Sequence, residues 1–305
     1  MINGFCIILS KYRLYQGITL YRSLAYNYNS FRVFILCIDE EAFEICNKLQ
    51  LKNTILVKTD VLQDGRLNVI KMDRRLNEYC WTLKPFFLEY IMNEYDYLDN
   101  VVYLDADLCF FNDPTPIFEC SKNYCALLSE HDFLEKNSIV EKNCGKYNSG
   151  FIVFKKCKTS LDILKWWEEK CIDWCFDGLD EGKFGDQKYL DLMPRLFEGI
   201  CSITVPGVNI APWNEGKYYF NNQFDKVHAN QEKLICYHYC GLRLLNKNQF
   251  ALLIGSQNIN TIIHTPYTLV IQEVISDIEH IAPNFDGYFV ESHFHNKAKI
   301  YQIGR

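Results

Sequence analysis

Two aspartates two residues apart close an apolar run, Val101-Val102-Tyr103-Leu104-Asp105-Ala106-Asp107-Leu108-Cys109-Phe110-Phe111. Read as one strand, the run turns Asp105 and Asp107 to the same face and Ala106 to the other. Two carboxylates that converge repel each other unless a positive charge lies between them, and a divalent cation with oxygen ligands meets that need. Turn capping explains a single acid at a strand end better than it explains a pair, and it suits Asp113, where Asp113-Pro114 reads as a helix start.

Other chemically capable residues are scattered along the chain. Tyr147-Asn148-Ser149-Gly150 opens a buried strand with small polar residues that let backbone approach a ligand. Asp186 and Gln187 lie in the first turn of an expected helix, where the helix dipole by itself favours an acid. His238, flanked by Tyr237 and Tyr239, reads as a satisfied core residue or as a ligand. Lys84 sits beside the apolar stripe of a helix, where it either snorkels to water or reaches inward.

The elements that must position these groups alternate. Apolar strands at Phe5–Leu9, Phe31–Asp39 and Thr54–Lys58 are separated by helical patterns at about 14–26 and at Glu40–Leu49. That order implies a parallel α/β sheet covered on both faces, with right-handed crossovers. No GxGxxG follows the first strand, so a dinucleotide fingerprint is not indicated. A helix is expected over Leu76–Asn93, interrupted by Pro85, and another over Ser160–Cys175. Strands are expected at Tyr124–Leu128, Tyr147–Phe154, Ile203–Val208 and Leu234–Tyr239. The chain turns polar from Asn246, and Pro266–Ile281 reads as an amphipathic helix.

Composition narrows the class. With 305 residues, 49% of them hydrophobic, the chain can bury a large core. The balance of 32 basic against 38 acidic side chains, net −6 with no long basic run, argues against nucleic-acid binding. The longest apolar run, Val33–Ile38, is far short of the ~20 residues of a membrane span. Gly4–Ser10 reads as a strand and not as a leader. The 14 cysteines contain no CxxC pair; they read as buried hydrophobes in a reducing, cytoplasmic setting, and their spacings argue against a zinc cluster.

In order, Tyr103-Leu104-Asp105-Ala106-Asp107, Tyr147-Asn148-Ser149-Gly150-Phe151, Gly185-Asp186-Gln187, Asn209-Ile210-Ala211-Pro212-Trp213-Asn214 and His238-Tyr239-Cys240-Gly241 resemble the motifs of the GT-A-fold nucleotide-diphospho-sugar transferases. The similarity is greatest to the family-8-like group that includes glycogenin and lipooligosaccharide galactosyltransferases. The resemblance implies a Rossmann-like, mixed but mostly parallel central sheet over 1–245, followed by a mainly helical extension, 246–305, packed on it. It implies Asp105, Asp107 and His238 as ligands of Mn2+ or Mg2+, the mixed donor set suiting manganese somewhat better. It further implies a donor site of Tyr12, Lys84, Asp105, Ala106, Asn148, Asp186, Gln187 and Gly241, with Tyr12 stacking on the base. Asp186 and Gln187 become the candidates at the anomeric carbon, and Trp213 and Asn214 the acceptor side.

The implied activity is retaining transfer of a hexose from a UDP-sugar to a hydroxyl of a glycan, lipid-linked or protein acceptor, with peripheral membrane contact through the tail left open. Two departures from the family pattern stand out. Ser10-Lys11 replaces the acid that relatives place after the first strand, and the cationic pair after the His motif is represented by Arg243 and a shifted Lys247. A non-catalytic sugar-nucleotide or glycan binder on the same scaffold is the alternative, since fold alone does not fix function. An Asp-x-Asp phosphatase is disfavoured by Cys109, which stands where Thr or Val would be expected.

Overall fold

A computed structural model describes residues 2–289 and 298–303. Strands β1 (Asn3–Leu9), β2 (Phe31–Cys37) and β3 (Thr54–Lys58) are parallel, linked by helices α1 (Leu14–Asn27) and α2 (Glu40–Leu49). Asp39 starts α2 by accepting the Ala42 N–H at 2.8 Å, as an acid at a helix N-cap does. Helices α3 (Arg66–Asp73) and α4 (Leu76–Glu94) lead into β4 (Asn100–Leu104), which pairs parallel to β1 on the side opposite β2. After the short strand β5 (Leu108–Phe110) and helix α5 (Thr115–Ser121) come β6 (Ala126–Glu130), α6 (Ser138–Cys144), β7 (Tyr147–Lys155) and α7 (Lys158–Asp173). A one-turn helix α8 (Met193–Leu196) and the three-residue β8 (Ile200–Ser202) close the main sheet.

Its order is β3-β2-β1-β4-β7-β6-β8, and only β7 runs against the rest. This is the mixed, mostly parallel sheet expected. Every residue of β1 is buried, because helices cover both faces. Phe5, Ile7 and Leu9 join the layer under α1 and α2, and Cys6 and Ile8 join the layer under α3, α4 and α7. All 14 cysteines are free.

Beyond the sheet lie a three-stranded sheet, β9 (Phe220–Gln223), β10 (Lys226–Ala229) and β11 (Glu232–Lys233), and then β12 (Cys236–His238), which pairs antiparallel to β5. Strands β13 (Leu242–Asn246) and β14 (Gln249–Leu252), helix α9 (His264–Ile281) and strand β15 (Lys299–Gln302) complete the described chain.

Four expectations need correcting. Asp105 and Asp107 are not on one strand: β4 ends at Leu104, and the acids flank a tight turn in which the Leu108 N–H donates to the Asp105 carbonyl at 3.2 Å. Their convergence comes from that turn and not from strand alternation. The tail is not mainly helical. Residue 245 falls inside β13, and β13, β14 and β15 form an antiparallel sheet, with α9 the one helix among the described residues of the tail. Alternating Leu242, Leu244, Phe250 and Leu252 are buried there, a period-two pattern the polar turn at 246–248 obscures. Ile203–Val208 is irregular, the strand ending at Ser202. The helix expected from Phe184 is only a 3-10 turn, Gln187–Asp191.

Candidate active site

The site forms where the sheet order reverses around β1. The carboxyl ends of β1 and β4 and the amino end of antiparallel β7 meet there, the usual ligand crevice of open α/β sheets. The Asp105 N–H donates to the Gly150 carbonyl at 2.8 Å, which docks the acidic turn on the start of β7. From the other side, β12 pairs with β5 so that His238 faces Leu108, and the Tyr239 N–H donates to the Asp107 carbonyl at 2.8 Å. Backbone pairing thus carries His238 across 131 residues to Asp107.

Asp105, Asp107 and His238 offer three ligand atoms within 4.8 Å of one another. His238 Nε2 is 3.0 Å from Asp107 Oδ1 and 3.9 Å from Asp105 Oδ2. Ligands at about 2.1 Å from a six-coordinate cation lie roughly 3 to 4.2 Å apart, so these separations fit a shared divalent ion with minor adjustment. Gly150 makes room for it: a Cβ there would sit 2.6 Å from His238 Cε1 and 2.8 Å from both Asp105 Oδ2 and Asn148 Oδ1.

Three cations surround the triad, Lys84 on one flank and two guanidiniums on the other. Lys84 reaches inward and does not snorkel: it is 1% exposed. Its Nζ lies 3.3 Å from Asp105 Oδ1, 3.1 Å from Asp186 Oδ2 without the angle of a directed hydrogen bond, and 2.9 Å from Ser149 Oγ. The ammonium also stands 4.6 Å from the Tyr103 ring centroid. Burial works against the Lys84 charge, yet Asp105 and then Asp186 outweigh it and hold the group above its ordinary pKa. Asp186 is pushed up by burial, with Lys84 opposing. Position 186 therefore owes its acid to a buried ion pair more than to a helix dipole.

On the other flank, Arg13 Nη1 and Arg243 Nη1 approach Asp107 Oδ2 at 3.8 and 3.7 Å. Burial opposes the Asp107 charge, but His238, Arg13 and Arg243 together hold its carboxyl well below the usual range. Burial and then the neighbouring Arg13 pull Arg243 below its ordinary value. Lys247 is elsewhere, 3.9 Å from Glu279 and largely exposed.

Asn148 and Gln187 are brought together: Asn148 Nδ2 donates toward Gln187 Oε1 at 3.5 Å, and Gln187 Nε2 donates to the Cys144 carbonyl at 3.0 Å. Tyr12 is exposed in the turn after β1, next to Arg13. Ala106 is buried under the acidic turn, and Gly241 adopts φ +83°, the left-handed region that suits glycine. The Trp213 ring meets His238 edge-on at 5.3 Å, and its Nε1 donates to the His131 carbonyl at 2.8 Å. Asn214 is buried, its oxygen accepting from the Ala211 N–H and its nitrogen donating to the His131 carbonyl. Its amide fixes the Trp213 turn.

Four participants were not singled out from sequence. Arg13 follows Tyr12 directly, and a cation in the first turn after a central strand is the signal that could have found it. Ser149 lies inside a quoted motif and holds Lys84. Asn209 opens another motif and touches His238 at 3.2 Å. His131 stacks on Phe133 with centroids 4.6 Å apart, and burial lowers its pKa to about 4, so it is neutral near pH 7.

No helix among the described residues is long and apolar enough to cross a membrane. The family model for nucleotide-diphospho-sugar transferases matches residues 30–193. Two uncharacterized proteins of Bacillus subtilis (strain 168) are similar along nearly their whole length. YfnF is 37% identical, covering 94% of this chain and 98% of the relative, and YfnD is 28% identical, covering 95% of each. Among solved structures, the galactosyltransferase LgtC in complex with donor and acceptor sugar analogs aligns with a TM-score of 0.54. It is 11% identical over 88% of this chain and 95% of that one, a likeness of fold. By its matched family model and its closely overlapping relatives, with the GT-A glycosyltransferase architecture to carry them, the chain belongs to the nucleotide-diphospho-sugar transferases.

Proposed function

We propose that this protein is a metal-dependent, retaining glycosyltransferase that moves a hexose from a UDP-sugar to an acceptor hydroxyl. The observation that carries this reading is the Asp105–Asp107–His238 cluster, spaced for one divalent cation and flanked by Arg13 and Arg243. Asp105, Asp107 and His238 would hold Mn2+ or Mg2+, and the bound ion would supply Lewis-acid neutralisation of the departing diphosphate. The hexose donor is in keeping with LgtC, a galactosyltransferase by its description.

The chain's own groups then divide the work. Arg13 and Arg243, two guanidiniums near each other and facing an acid, are arranged to grip phosphate oxygens in the two-pronged way guanidinium allows. Exposed Tyr12, beside Arg13, stacks on the uracil. Lys84 neutralises Asp105 and Asp186, so that the acidic floor of the donor-sugar pocket does not repel the diphosphate. Asn148, donating to Gln187, orients that side chain toward the anomeric centre. Gln187 stabilises positive charge developing there and does not attack, because an amide is a poor nucleophile. Asp186 is held in its ion pair with Lys84 and contributes electrostatically. Trp213 borders the acceptor side. Catalysis on this reading is mainly positioning and preorganised charge.

The test is Mn2+-dependent release of UDP from a panel of UDP-hexoses, with and without sugar acceptors, by the wild-type protein and by Asp107→Ala. Release by the wild type and its loss in the variant, with the variant shown to be folded by circular dichroism at the assay temperature, is the expected result. Donor binding without any turnover across the panel would favour a non-catalytic sugar-nucleotide binder.

A further inference from the structure

A histidine can give a lone pair to a cation from one ring nitrogen only if its proton sits on the other, and the partner of that other nitrogen decides which. His238 Nε2 faces Asp105 and Asp107, and its Nδ1 lies 3.2 Å from Asn209 Oδ1. The assignment of oxygen and nitrogen in the Asn209 amide follows from its surroundings: Nδ2 donates toward the Glu130 carbonyl at 3.5 Å, which leaves Oδ1 for the imidazole. An amide oxygen only accepts, so it calls for N–H at Nδ1.

Asn209 is itself held in place. It is 1% exposed, and its backbone N–H donates to Cys236 Sγ at 3.3 Å. The next residue, Ile210, accepts the His238 N–H at 2.8 Å, so the Asn209 segment and β12 move together. Its backbone lies at φ +56°, a left-handed conformation that asparagine and glycine tolerate better than other residues. A buried, conformationally unusual residue with its amide aimed at the outer nitrogen of a ligand is placed to set that ligand's protonation.

We propose that Asn209 is a positioning residue for the metal centre: it keeps the His238 proton on Nδ1 and the ring in place, so that Nε2 presents its lone pair between Asp105 and Asp107. The inference rests on the reading of that cluster as a cation site.

The test titrates the purified full chain with Mn2+ alone and reads free Mn2+ by electron paramagnetic resonance. Asn209→Gly removes the amide without backbone strain, and Asn209→Asp keeps an oxygen acceptor and tolerance of the backbone. Asn209→Gly is expected to bind Mn2+ about 10- to 100-fold more weakly, the usual cost of losing such a partner. Asn209→Asp is expected to bind at least as tightly as wild type, because a carboxylate makes the imidazole more basic. A purely structural role would predict loss in both. Wild-type affinity in Asn209→Gly, or a tenfold loss in Asn209→Asp, overturns the proposal while leaving the cation site standing. No Mn2+ binding by the wild type would remove both, and if Asn209→Gly does not fold, Asn209→Asp still decides.

Discussion

Replacing Lys84 by Met keeps most of the side-chain stem and removes the ammonium, leaving two carboxylates without their shared counter-charge. At an effective dielectric of about 20, a unit pair at the 3.1 Å separation of Lys84 and Asp186 has a gross attraction of about 5 kcal/mol, and the 3.3 Å pair with Asp105 a similar one. Desolvation of a side chain only 1% exposed consumes much of that sum. Removing one partner of a buried pair nevertheless costs about 3 to 5 kcal/mol, because the remaining charge stays buried. Lys84→Met should therefore lose about that much unfolding free energy in urea at pH 8, measured with a chelator present.

The pH dependence gives the sign. Asp186 already has its carboxyl raised above 3.8, by burial first, and without Lys84 it rises further. A carboxyl with a raised folded pKa is not a burden below its unfolded value and becomes one as pH climbs through the folded value. The deficit of the variant should therefore shrink between pH 8 and mild acid. Adding Asp186→Asn, which removes the stranded charge, should recover part of the loss. A variant within 1 kcal/mol of wild type at pH 8 (about a fivefold change in the folding equilibrium), or a double variant no more stable than Lys84→Met, would refute the account of this ion pair.

Two further changes probe the surroundings of the triad. Gly150→Ala places a methyl 2.6 Å from His238 Cε1 and 2.8 Å from Asp105 Oδ2; it should weaken Mn2+ binding in the same titration and cost about 1 to 3 kcal/mol of stability by overpacking. His131 is buried neutral, with its pKa lowered to about 4 from 6.5. Below pH 6.5 the unfolded chain takes up a proton that the folded chain refuses, so stability falls by up to about 3 kcal/mol as pH drops to about 4. His131→Gln should flatten that part of the stability profile in urea titrations, and an unchanged slope would mean the ring is protonated in the fold.

The opening β1–α1–β2–α2–β3 run was legible because apolar strand-length runs alternating with helical patterns are local signals, and so was the long helix α4. The acidic pair and the motif around Asn148 could also be read from residue types alone. Other features depended on pairing between distant segments. Sequence assigned Asp105 and Asp107 to one strand face, yet the turn after β4 makes them converge. His238 is ambiguous in isolation and gains a partner only because β12 pairs with β5. Lys84 could equally have faced water until the packing of α4 buried it against Ser149. The antiparallel sheet of the tail was hidden because β15 pairs with β14 across the intervening helix α9, and no local pattern reports such a partner.

Sequence by itself determined which atoms were available: two acids, an imidazole, a buried-stem lysine, and glycines where backbone must come close. Only the tertiary structure decided which of them share a space and which charges neutralise which. Side-chain chemistry is a property of each residue, but distance, desolvation and protonation are properties of its neighbours, and strands far apart in the chain supply those neighbours here.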